Sequence, residues 1–265
     1  KSKNPDAVSQ LRRLVQPFLL RRLKKRCPQG TSAQEEYVRK ISLSEDEQKL
    51  YYACVQAAVA DLGDEQGKLQ ILAALTRLRQ VCCDPGLCFE NYEGSTSKLD
   101  ACVELCEAMV ENGHQILLFS QFTSMLDRLR ARLDALHISN YTLQGSTPKE
   151  KRASMVKAFN AGEASVFLIS LKAGGTGLNL TAADIVIHFD PWWNQAAQNQ
   201  ATDRAHRIGQ QAHVQVYKLI AKDTIEEKIL ELQEKKAALL DTISGGEEAG
   251  ILNMSSEELL SLLKS

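Results

Sequence analysis

Residues 200–210 read Gln-Ala-Thr-Asp-Arg-Ala-His-Arg-Ile-Gly-Gln, within a stretch predicted to be helical from near Asn194 to Gly209. Gln200, Arg204 and Arg207 are spaced by four and by three, so they project from one helix face. Two guanidiniums side by side can grip a transferred phosphoryl group, since each presents planar, permanently charged donors to the oxygens on which charge builds during hydrolysis. The same spacing also suits a salt-bridged solvent face, although Asp203 cannot neutralise two arginines. Three further segments offer small hydroxylated side chains, glycines and a Lys: Ser120-Gln121, Gln144-Gly145-Ser146-Thr147, and Ser170-Leu171-Lys172-Ala173-Gly174-Gly175-Thr176-Gly177-Leu178-Asn179. Such segments present N–H groups and hydroxyls to a phosphate backbone without carrying base information. Upstream of the arginine helix, Asp190-Pro191-Trp192-Trp193-Asn194 places two indoles together, one suited to the core and one to packing on a sugar-phosphate backbone.

Several familiar sites are missing from the sequence. The glycines at 174, 175 and 177 lack the third glycine of a dinucleotide fingerprint, and no Lys-Ser or Lys-Thr follows them to make a Walker A loop. No His-Glu-x-x-His, no nucleophile elbow with a plausible triad, and no paired His at i, i+4 occurs. Asp64-Glu65-Gln66-Gly67 sits in a polar stretch without a preceding apolar strand and reads as loop. The seven cysteines, Cys27, Cys54, Cys82, Cys83, Cys88, Cys102 and Cys106, form an odd set without a Cys-x-x-Cys pair, which argues against a disulfide framework and makes reduced core thiols the default. No His completes a zinc spacing with them, so no metal site is assigned.

The elements that must position these residues follow from periodicity. Fully apolar strands are predicted at 115–119, 140–143, 165–169, 185–189 and 214–220, with helical patterns between them, as parallel strands covered on both faces require. This βαβ series implies a doubly wound α/β domain, in which the three polar segments and the Trp-Trp segment follow strand tips, where ligands collect. Before it lie a strand at 36–43, a helix opened by Ser44 as N-cap with Glu45, Asp46 and Glu47 in its first turn, and a helix over 69–81 that stops near Asp84-Pro85-Gly86, with loop continuing to Ser97. A long helix over 223–240 carries Ile225, Ile229, Leu232 and Leu239 near one stripe, and a Ser-Gly-Gly linker leads to a short amphipathic helix at 255–263.

At 265 residues, 44% hydrophobic, the chain is long enough for one or two packed domains. Its 32 basic and 33 acidic residues give a net charge of −1, so any contact with a polyanion needs a local basic surface. One exists at 1–26, where nine Lys or Arg face the single acid Asp6; it suits phosphates, an acidic protein partner or simply solvent. No apolar run of about 18 residues and no h-region appears, which predicts no membrane span and no signal peptide, hence a cytoplasmic or, in a eukaryote, nuclear protein. The absence of an initiator Met is expected of a chain that begins inside a longer gene product.

Taken in order, Phe18-Leu19-Leu20-Arg21-Arg22, Leu78-Arg79-Gln80-Val81-Cys82, Leu118-Phe119-Ser120-Gln121-Phe122, Gly145-Ser146-Thr147, Lys172 to Leu180, Trp193-Asn194, Asp203 to Gln210 and Leu219 to Lys228 resemble the second motor lobe of the Swi/Snf-type ATPases, double-stranded-DNA translocases of helicase superfamily two. The resemblance spans about residues 15–240. It implies a RecA-like doubly wound parallel sheet with an N-terminal helical protrusion and a C-terminal brace helix. In that division 1–43 form a basic N-terminal helix and first strand, 44–97 the protrusion, 98–222 the lobe, 223–243 the brace, and 244–265 a linker and short helix. It also implies that Arg204 and Arg207 are arginine fingers with Gly175 and Gln200 beside the nucleotide, and that Ser120, Gln121, Ser146, Ser170, Lys172, Thr176, Asn179 and Trp193 lie near the DNA. ATP and Mg would be held mainly by a first RecA-like lobe, whose phosphate-binding Lys and metal-binding acids this sequence lacks, so the lobe alone is expected not to hydrolyse ATP. Gln195 stands where a Pro often follows Trp-Asn, and Cys82-Cys83-Asp84-Pro85 replaces the usual Cys-Asn-His-Pro; these departures touch loops and leave the chemistry intact. Competing readings are the second lobe of an RNA helicase, which shares the arginine pair, a non-catalytic interaction fragment, and, least well matched, a small-molecule Rossmann domain.

Overall fold

The computed structural model describes residues 34–61, 67–174, 178–203, 213–242 and 254–264. Six strands form one wholly parallel sheet: β1 (Gln34–Ile41), β2 (Ile116–Ser120), β3 (Asn140–Leu143), β4 (Val166–Ser170), β5 (Ile185–His188) and β6 (Val214–Ala221), in the order β1-β6-β5-β2-β4-β3. The central strands β2, β4 and β5 are buried at every residue, which explains their unbroken apolar runs. Successive residues serve opposite layers. Ile116, Leu118, Val166 and Leu168 meet α3 (Ser97–Glu111) and α4 (Thr123–Ala135), whereas Leu117, Phe119, Phe167 and Ile169 meet Met155 and Phe159 of α5 (Lys149–Asn160) and Ala201 of α7 (Gln195–Thr202). Gly113 and Gly162, at φ 81° and 86°, end α3 and α5 in the left-handed conformation that only glycine adopts without strain.

A third core lies outside the sheet. It joins Tyr51 of α1 (Glu45–Asp61), Ile71, Leu75, Leu78 and Cys82 of α2 (Lys68–Cys83), Ile225 and Ile229 of α8 (Ile225–Thr242), and Leu259, Leu262 and Leu263 of α9 (Ser256–Lys264). The helical insertion and the C-terminal helices therefore share one hydrophobic cluster, and the amide of Ile225 donates to the Tyr51 hydroxyl at 2.8 Å. The expected cap of α1 is present as a reciprocal box: Ser44 Oγ accepts from the Glu47 amide at 3.2 Å and Glu47 accepts from the Ser44 amide at 2.8 Å. Glu47 also accepts from the Ser97 amide at 2.9 Å, which ties the start of α1 to the start of α3.

The strands and the helices for which the sequence sets bounds match the expectations to within two residues at nearly every described end, and the segment after β4, expected as loop, contains one short helical turn at Leu171–Gly174. The first strand lies two residues earlier than expected, because its register is set by an eight-residue ladder to β6, including a Tyr37–Tyr217 stack at 5.2 Å. A 3-10 turn at Pro85–Leu87 interrupts the expected loop, capped by the Asp84 carboxylate on the Gly86 amide. Cys82, Cys83, Cys102 and Cys106 are buried in the core. Among the described residues no helix is long and apolar enough to cross a membrane, and no three His, Cys, Asp or Glu side chains gather to hold a metal ion.

Candidate functional site

Because every strand runs the same way, the tips of β2, β4 and β5 open on one edge of the sheet, and β2 lies between β4 and β5, where successive connections diverge. Behind this edge sits a buried carboxylate. Asp190 accepts from Ser120 Oγ at 2.6 Å, from the Gln121 amide at 3.2 Å and from Arg79 Nη2 at 3.4 Å. Burial pushes its carboxyl above the ordinary range, and the Arg79 charge with the Ser120 hydroxyl partly offsets that. Arg79 comes from α2 and is 2% exposed. It also donates to Gln121 Oε1 at 2.9 Å and to the Pro191 carbonyl, and its guanidinium carbon lies 5.6 Å from the Phe122 ring centre and 5.4 Å from that of Trp193.

The residues expected beside DNA lie at different depths in this arrangement. Ser120 and Ser170 were expected beside DNA, yet both are buried: the Ser120 hydroxyl bridges Asp190 and the Phe122 amide, and that of Ser170 accepts from the Ala173 amide at 3.3 Å. At the end of an interior strand, a small hydroxyl satisfies the first loop N–H groups, which would otherwise be buried without partners. Gln121 is half-buried, with its carboxamide turned inward to Arg79.

Ser146 and Asn179 are exposed on the same edge. The loop bearing Ser146 is held from behind: Arg152 donates to the carbonyls of Gly145 and Thr147 at 2.8 Å each, and the Gln144 amide donates to Thr147 Oγ1 at 3.0 Å. Trp193 is half-buried against the third core, and Trp192 half-buried against the second. Lys172 lies on the short helix α6 (Leu171–Gly174), its side chain outside those described. Gly175, Thr176, Arg204 and Arg207 lie outside the described residues. Helix α7 is described to Thr202, with a turn at Asp203, and the rest of the predicted helix lies outside the description; Gln200 is exposed on α7.

Residues that sequence reasoning did not single out anchor this helix. His188, buried at the tip of β5, has Nε2 2.8 Å from Thr202 Oγ1, and the Thr202 hydroxyl donates to the Gln198 carbonyl at 3.3 Å. Gln198 Oε1 accepts from the Trp192 amide at 3.4 Å and from Gln233 Nε2 of α8 at 3.2 Å, and Gln233 Nε2 also donates to the Trp192 carbonyl. The α7 end of the site is thus pinned from β5 and from α8. The one legible signal for Arg79 is a charged residue on the otherwise apolar stripe of Ile71, Leu75, Leu78 and Cys82.

Burial, with the nearby Lys218 charge, pushes the His188 imidazole down to about 3 from an ordinary 6.5. The folded protein therefore keeps it neutral where the unfolded chain protonates it, and stability is lost as pH falls from 6.5 toward 3. This single group contributes a slope of up to about 1.4 kcal/mol per pH unit in that window. Urea unfolding at several pH values should show the slope reduced in His188→Asn; equal slopes in the two proteins would refute the assignment.

The geometry agrees with what is known of similar proteins. A family model described as the helicase conserved C-terminal domain matches residues 97–209, and one described as an SNF2-related domain matches residues 1–87. An uncharacterized ATP-dependent helicase of Mycoplasma genitalium is 37% identical over 100% of this chain and 26% of its own length. The C-terminal domain of a Sulfolobus solfataricus SWI2/SNF2 ATPase superposes with a TM-score of 0.69 at 29% identity, covering 87% of this chain and 98% of that one. The core of a Sulfolobus solfataricus SWI2/SNF2 ATPase solved in complex with dsDNA gives 0.71 at 31% identity, over 98% of this chain and 57% of its own. The chain spans between a quarter and a third of the length of the curated relatives it matches first. With its parallel six-stranded sheet, its helical insertion and its C-terminal helix bound into a common core, the chain belongs to the Swi2/Snf2 family of ATPases and corresponds to their C-terminal RecA-like lobe.

Proposed function

We propose that this lobe is the C-terminal half of an ATP-dependent double-stranded-DNA translocase. ATP sits between it and a first RecA-like lobe of the same protein, and the cycle of closure and reopening shifts the strand-tip surface along the duplex. In this reading 44–97 form the protrusion and 223–243 the brace. Arg204 and Arg207 serve as arginine fingers, Gly175 and Gln200 flank the nucleotide, and Ser146, Lys172, Thr176, Asn179 and Trp193 meet the DNA backbone. Ser120, Gln121 and Ser170 support that surface from inside. The observation that carries the reading is the superposition of 98% of the chain on an ATPase core solved with dsDNA.

The donor set suits one side of a nucleotide. The guanidiniums of Arg204 and Arg207 and the amide of Gln200, which is exposed on α7, match phosphate oxygens. In this reading ATP and Mg are held mainly by the first lobe, and Mg, when bound, supplies charge neutralisation at the phosphates. The test compares ATP hydrolysis by the lobe alone and by the two-lobe protein without nucleic acid, with duplex DNA and with RNA. The expected result is no turnover by the lobe alone and stimulation of the two-lobe protein by duplex DNA. Stimulation by RNA in preference to duplex would overturn the reading in favour of an RNA helicase, and no turnover in any condition would leave an interaction module.

A further inference from the structure

A fully buried guanidinium costs several kcal/mol to desolvate, and an apolar side chain of similar volume fills such a position at no such cost. Arg79 is held in the core by a particular set of partners. It leaves the apolar stripe of α2, in the helical protrusion, and its described partners lie at the tips of β2 and β5: Gln121, Asp190 and the Pro191 carbonyl receive its hydrogen bonds, and its guanidinium carbon lies over the rings of Phe122 and Trp193 at 5.6 and 5.4 Å from their centres. The same loop is also held by Gln233 of α8, through the Trp192 carbonyl and Gln198. The loop from Asp190 to Trp193, which leads directly into α7, is therefore held between one residue of the protrusion and one of the brace.

Resting on the DNA-translocase reading above, we infer that Arg79 is a positioning residue for the duplex-binding edge. It fixes the Trp193 indole and the Gln121 carboxamide in place, so that displacement of the protrusion is carried to the strand tips. The planar fork is essential, since hydrogen bonds to Gln121 and Pro191 and the cation–π contact with Trp193 are made at once; a Lys at this position keeps the charge and the contact with the ring but not the fork.

The chain has two tryptophans, so Trp192→Phe leaves Trp193 as its single indole emitter. In that background Arg79→Met and Arg79→Lys are compared by acrylamide quenching of Trp193 and by urea unfolding, and the same Arg79 variants of the two-lobe protein by anisotropy of a fluorescein-labelled duplex. Arg79→Met is expected to raise quenching and to weaken duplex binding by about tenfold in the folded protein, the scale of losing hydrogen bonds from a charged donor, with Arg79→Lys recovering part of both. Unchanged Trp193 quenching overturns the inference. So does released Trp193 with full duplex affinity, which would reduce Arg79 to a stability role. Should Arg79→Met fail to fold, Arg79→Lys applies the same two criteria. If the unsubstituted two-lobe protein binds no duplex, the translocase reading fails and the inferred role in DNA binding falls with it, while quenching still reports separately whether Arg79 fixes the indole.

Discussion

In the two-lobe protein, Arg207→Ala is expected to lower ATP turnover by about 10³–10⁵, the scale of an arginine finger, and to leave duplex affinity nearly unchanged. The size of the effect follows from where the charge acts. A guanidinium that meets the transferring phosphoryl group stabilises charge that develops in the transition state, in a closed cleft where water does not screen it, so its loss falls on kcat rather than on binding. The described part of α7 supports this geometry: it is pinned to β5 by His188 and Thr202 and to α8 by Gln198 and Gln233, and it carries Gln200 exposed, four residues before Arg204 and seven before Arg207. Arg207→Lys should not restore turnover, because a point charge cannot reproduce the bidentate fork. Single-turnover hydrolysis together with duplex anisotropy separates the two quantities. Normal duplex-stimulated turnover in Arg207→Ala would remove the arginine-finger assignment.

The largest effect on folding is expected at Lys98. Its ammonium donates to both oxygens of Glu226, at 2.7 and 2.5 Å, and lies 5.0 Å from the Phe189 ring centre; both side chains are fully buried. The pair joins the start of α3 to the first turn of α8, and Glu226 also accepts from the Ala221 amide at 2.8 Å. Burial pulls the Lys98 ammonium down, but the Glu226 carboxylate, together with the neighbouring Cys83 and Asp190, more than offsets this and the net shift is upward. Lys98→Met leaves a carboxylate buried without its counter-ion and should cost about 3–5 kcal/mol, whereas Lys98→Met with Glu226→Leu should recover most of that loss, since a buried pair replaced by apolar side chains is often neutral. Urea unfolding of the single and double variants checks both values, and a single-variant loss as small as that of the double would show that the charge balance is unimportant. The sign of the pH dependence follows from the upward shift of Lys98: its contribution is fully present below 10.5 and is lost as pH rises through the higher folded value.

Periodicity and local chemistry were enough to locate nearly every element. Val166 to Ile169 and Ile185 to Ile187 read as buried parallel strands because a strand covered on both faces has no polar alternation to show. Ser44 announced a helix start because a capping hydroxyl and its partner Glu47 lie three residues apart, a purely local geometry. The order of short motifs along the chain pointed to the family for the same reason, since each motif is a local segment whose residue types can be inspected one by one.

The inner side of the site was not legible in this way. Arg79 and Asp190 are 111 residues apart, and Lys98 and Glu226 are 128 apart, so their pairing depends on how β5 and α8 are brought beside α2 and α3 in the folded chain. Whether a hydroxyl at a strand tip meets solvent or an internal amide depends on its neighbours in the sheet, which is why Ser120 and Ser170 turn inward while Ser146, at the end of the outer strand β3, stays exposed. Helix α9 shows the same division: its amphipathic stripe is written in Leu259, Leu262 and Leu263, but the surface that covers it is assembled from α1, α2 and α8. Residue type and spacing specify local conformation and a burial tendency, while the burial partner of a polar or apolar group is set by contacts between segments distant in the chain.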